Sequence, residues 1–199
     1  GQGKQRVLFQ STNFTNKTKS VWDGFVIQDG VSSSDNEKNG IGAYLKDYSA
    51  LVNCEIKDNI ALHDYSRGIG IYMENAVHST LENCLIHHNE SGKNENGRYF
   101  GSVRGSAIFF NAGGQVVNST IVDNTTVDGN TVELLIYDNV TFTNSIIVAN
   151  RRIGQDGSIY PLSNFNLYGN PLHFVHCAVD GGTNGFSSFP ISKSDLNAD

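Results

Sequence analysis

The chain has 199 residues and carries 14 Lys and Arg against 20 Asp and Glu, a net charge of −6 that speaks against nucleic acid as its main partner. At 38% hydrophobic and 17% charged residues it is too apolar for a disordered tail and large enough for one domain with its own core, yet no apolar run approaches the ~18 residues of a membrane span. The 21 Gly and 23 Asn, set against 3 Pro and 1 Met, argue for strands joined by many turns rather than for helices.

The first thirty residues lack the basic stretch and apolar core of a signal peptide. They close on a degenerate repeat copy, Asp23-Gly24-Phe25-Val26-Ile27-Gln28-Asp29-Gly30. A strand is predicted over 40–46, where Ile41, Ala43 and Leu45 alternate with Gly42, Tyr44 and Lys46. The unit Asn53-Cys54-Glu55-Ile56-Lys57-Asp58-Asn59 follows. The same pair then recurs: 68–74 with Asn83-Cys84-Leu85-Ile86-His87-His88-Asn89, 105–111 with Asn118-Ser119-Thr120-Ile121-Val122-Asp123-Asn124, and 131–137 with Asn144-Ser145-Ile146-Ile147-Val148-Ala149-Asn150. A last degenerate copy lies at 176–182. Each repeat reads as strand, turn, strand, turn, and none can bury its apolar face alone. Stacked ~4.8 Å apart as parallel strands, the repeats bring Ile56, Ile86, Ile121 and Ile147 into one inward ladder.

These residues resemble the right-handed parallel β-helix of the pectin-lyase-like superfamily, in its secreted bacterial repeat-protein form. The resemblance rests on Trp22-Asp23-Gly24-Phe25-Val26-Ile27-Gln28-Asp29-Gly30, the Asn-Cys/Ser-x-Ile-x-x-Asn units and Cys177-Ala178-Val179-Asp180-Gly181-Gly182, and it covers about residues 5 to 199. It implies an all-β solenoid of about six coils forming a single domain over 1–199, regular over about 20–150, with an irregular coil and extension at 151–199. Similar proteins run on into an Asp-Pro-x-Phe motif where this chain stops at Asn197-Ala198-Asp199, so a fragment of a longer protein is expected. The resemblance is specific for fold and weak for activity, because the superfamily hosts lyases, hydrolases, epimerases and adhesins.

Asn59, Asn89, Asn124 and Asn150 recur at a turn where an inward amide can bond the coil above, a structural role. Cys54 and Cys84 share their position with Ser119 and Ser145 and read as buried free thiols, with a disulfide as the alternative. Three cysteines without CxxC or His-rich spacing point to no metal site.

An outward stripe of Tyr44, Tyr72, Phe109 and Leu135, flanked by Lys46, Glu74, Asn111 and Tyr137, suits a sugar chain whose C–H faces pack on rings while its hydroxyls bond the polar row. Rings stacked on one another or lying beneath a loop are the structural alternative. The longest loop, 90–104, carries Lys93, Arg98, Tyr99, Phe100 and Arg104 and would wall this face with positive charge. It leaves from His87 and His88, with Asp58, His63 and Asp64 in the preceding coil. A lyase acting on acidic polysaccharide would use such a His as base and Arg98 or Arg104 to neutralise the uronate. Calcium would need three acidic residues at one-coil spacing, which are not evident, so no cofactor is assigned. The outward Val122, Ile146 and Val148 call for a cover, for which 153–175 is the candidate. The expected function is an extracellular or bacterial cell-surface module that binds a polysaccharide or cell-surface glycan, or mediates adhesion, without catalysis. The alternative is a polysaccharide lyase or related carbohydrate-active enzyme.

Overall fold

Two corners per repeat place non-glycine residues in left-handed backbone. At the first, Asn53, Asn83, Asn118 and Asn144 have φ between 49° and 53°, a conformation asparagine tolerates better than most side chains. At the second, Asp29, Asp58, His88, Asp123 and Ala149 have φ between 52° and 59°. Between the corners only three residues remain extended, as in Glu55–Lys57 and Leu85–His87.

A computed structural model describes residues 6–10, 17–32, 38–134, 139–160, 165–167 and 172–180. Each turn of the chain holds four short strands where the sequence suggested two. The third turn, for example, runs Ile71–Glu74, Thr80–Glu82, Leu85–His87 and Glu90–Ser91. The two expected strands match the first and third of these, and the second and fourth are segments of two to four residues outside them. Stacking turn on turn gives four sheets of six strands, here A to D in chain order, which amount to five full turns and three strands of a sixth. All pairings within these sheets are parallel except that of Ile159–Tyr160 with Arg151–Ile153 at the end of sheet D. The protein is a parallel β-helix, all-β over the described residues, in agreement with the coil number expected from the repeats.

The isoleucine ladder forms as expected. Ile27, Ile56, Ile86, Ile121 and Ile147 are in register along sheet C and buried. At the far end the core is filled by Phe110, Phe142, Phe165 and Phe174, whose rings contact one another at centroid distances of 5.2 to 6.2 Å. Part of the segment expected to cover sheet C is therefore core: Phe165 and Phe174 point inward, Ile159–Tyr160 extends sheet D, and Ile146 stays 45% exposed. The parity of the strands, with inward side chains alternating with outward ones, explains the difference.

At the second corner an asparagine ladder threads the solenoid. Asn59 Nδ2 donates to Asn89 Oδ1 (2.8 Å), Asn89 to Asn124 (2.9 Å) and Asn124 to Asn150 (3.0 Å). Each amide also bonds backbone, as where Asn89 Nδ2 reaches the carbonyls of Ile56 and His87. Cys54, Cys84 and Cys177 are buried free thiols.

Candidate functional site

The aromatic stripe exists, and its register is Phe9, Tyr44, Tyr72, Phe109, Glu133. Glu133 takes the place assigned to Leu135, which lies with Tyr137 outside the described residues. Tyr44 and Tyr72 stack at 5.0 Å and Tyr72 and Phe109 at 5.2 Å, while Phe9 meets Tyr44 tilted, at 5.2 Å and 57°. The rings point away from the core, and cover increases along the row: Phe9 is 55% exposed and Tyr44 half-buried, while Tyr72 is 5% exposed and Phe109 fully buried. Arginine forms part of the cover. Arg6 lies 4.7 Å over Phe9 and 4.8 Å over Tyr44, Arg67 lies 5.5 Å over Phe109, and Arg104 pairs with the buried Glu133 at 3.4 Å. Burial raises the Tyr72 phenol above its ordinary range.

At the open end Tyr44 donates to Glu74 at 2.6 Å and Lys46 pairs with Glu74 at 3.3 Å, so three predicted contact residues are already engaged with one another. Desolvation first, then the Glu74 contact, raises the Tyr44 phenol. Of the expected basic wall, Arg104 stands at the stripe, through its pairing with Glu133. The 90–104 loop otherwise folds toward 154–158: Lys93 sits 4.5 Å over Tyr99, Tyr99 N donates to the Gln155 carbonyl, and Arg98 adds its field to Asp156.

A different surface is concave. The second corner presents Asp29, Asp58, His88 and Asp123 in one row, because the preceding residues Gln28, Lys57, His87 and Val122 are paired in register. The first outward row of sheet D runs beside it with Ile60, Glu90, Thr125 and Arg151. These eight residues line a groove of about 300 Å³. Five stacked rows at ~4.8 Å make it roughly 19 Å long, parallel to the solenoid axis.

The chain matches no protein-family model, no curated protein and no solved structure. The groove must be read from its own residues.

His88, a predicted candidate, lines it, and His87 stands behind. Their Nδ1 atoms are 2.6 Å apart, and Nε2 of His87 is 2.9 Å from Glu55 Oε1 on the neighbouring coil. Lys57 contacts the same carboxylate at 3.2 Å. The His87 hydrogen bond, then that of Lys57, holds the Glu55 carboxyl below the usual range. The cation of the groove is Arg151, which sequence reasoning did not single out; Arg98 and Arg104 lie elsewhere. Three acidic residues do share one row, with His88 interrupting them; the repeat units align Asp29, Asp58 and Asp123 two residues after the ladder isoleucine, a signal that the sequence reading passed over. Among the described residues no group of three or more His, Cys, Asp or Glu is arranged to hold a metal ion, and no helix is long and apolar enough to cross a membrane.

Proposed function

We propose that this solenoid is a glycan-binding or adhesion module of a secreted or bacterial cell-surface protein, and that its ligand lies along the corner groove rather than on the aromatic stripe. The observation that carries this reading is the groove itself: a channel crossing five coils whose lining positions recur in register and offer carboxylates, an imidazole, a hydroxyl and a guanidinium beside one apolar contact, Ile60. An extended polymer with regularly spaced hydroxyls fits such a repeating wall. Four carboxylates against one arginine favour a neutral or amino-bearing sugar over an anionic one. The repeat motifs and the stacked parallel sheets support membership of the pectin-lyase-like superfamily.

A glycan array spanning neutral, amino-bearing and uronate-containing chains tests this. Selective binding by the first two classes, weakened in Glu90→Gln with the fold retained, is expected. An array with no bound glycan refutes the proposal. His88 in the groove, in contact with His87 behind it and lining the same channel as Arg151, favours one second reading, a carbohydrate-active enzyme acting on acidic polysaccharide. Absorbance of unsaturated product on incubation with acidic polysaccharides would establish it.

A further inference from the structure

The contacts of Glu55, His87 and His88 have a direction. An ionised carboxylate only accepts hydrogen bonds, and the hydrogen bond from His87 favours that form of Glu55. Nε2 of His87 therefore carries its proton toward Glu55 at 2.9 Å. A neutral His87 then has a bare Nδ1, and its 2.6 Å contact closes only when Nδ1 of His88 supplies the hydrogen. The two ring planes stand at 82° to each other, with their centroids 4.9 Å apart. His88 is left with a lone pair on Nε2, on the side of its ring away from His87. Among the described residues, the other charged groups around the relay are Lys57 beside Glu55, and Asp29, Asp58, Glu90, Asp123 and Arg151 in the groove with His88. Val122 is the partner of His87 on the following coil.

We propose that Glu55, His87 and His88 form a one-way hydrogen-bond relay that presents Nε2 of His88 to the corner groove as an acceptor, suited to a sugar hydroxyl. This rests on reading the groove as the glycan site. Glu55 and His87 act as positioning residues and His88 as the contact. Any proton that a ligand gives up at this point has a defined destination on Nε2.

Nitrogen-15 NMR of the histidine rings at neutral pH, without ligand, tests the relay. The wild type should show His87 protonated on Nε2 and His88 on Nδ1. Glu55→Ala should release the preference, so that His88 shows a mixture of both tautomers, whereas Lys57→Met, which keeps the carboxylate, should leave the wild-type pattern intact. Amide shifts of the isoleucine ladder report that each variant is folded. His88 protonated on Nε2 in the wild type, an unchanged His88 in folded Glu55→Ala, or a switched His88 in Lys57→Met would each overturn the relay. Because the tautomers are read on the free protein, a failed glycan array leaves the relay standing, and a failed relay leaves the array result standing.

Discussion

Tyr72 shows how the same outward side chain can serve the fold rather than a ligand. Its ring is sandwiched between Tyr44 at 5.0 Å and Phe109 at 5.2 Å. Tyr72→Ala should therefore cost about 3 kcal/mol, with a lower urea midpoint and an unchanged slope. A change within the roughly ±0.5 kcal/mol of an ordinary surface substitution would show that the stack contributes nothing. Cys84 makes a second case at this scale. Burial pushes its thiol from 9.0 up to about 11. The folded chain thus holds a proton that the unfolded chain releases, and this contribution to stability is complete below pH 9.0 and fades as pH rises toward about 11. Unfolding free energy should fall across that window in the wild type and less steeply in Cys84→Ser; identical slopes would contradict the assignment.

A single ladder rung is the unit of the next level. Asn89 accepts from Asn59 and donates to Asn124, Ile56 and His87, a set that needs both an amide oxygen and an amide nitrogen. Asn89→Asp keeps the shape and removes the donors, leaving three buried acceptors facing a carboxylate. Several kcal/mol of destabilisation and impaired expression are expected, larger than for Asn89→Ala, which at least buries no charge. Thermal melts of Asn89→Asp that coincide with those of the wild type would sink the ladder account. This element was legible from sequence because the ladder needs the same atoms in every coil, so Asn recurs at 59, 89, 124 and 150, as Ile does at 56, 86, 121 and 147. The short strands Ser49–Val52 and Ile60–Ala61 were not legible. Two to four residues between left-handed corners are too few for period-two alternation to register, and the corners are held by a tolerant Asn, Asp or His in most coils and by Ala at 149.

For the whole molecule, the candidate site was legible only in part, since a groove that runs across coils is assembled from residues about thirty positions apart. His87 and His88 attract notice as a pair, but Arg151 enters the site solely because sheet D brings it beside Thr125. The same assembly has a mechanical consequence. Successive bridged asparagines are 30, 35 and 26 residues apart, so these three turns store different lengths of chain behind the same axial rise. At ~3.5 Å per extended residue, a molecule held by its two ends and pulled would surrender slack in steps of about 9 to 12 nm. No two of these three turns share a step size, so a force trace would name the turn that yielded, and the order of failure could be read along the solenoid like notches on a key.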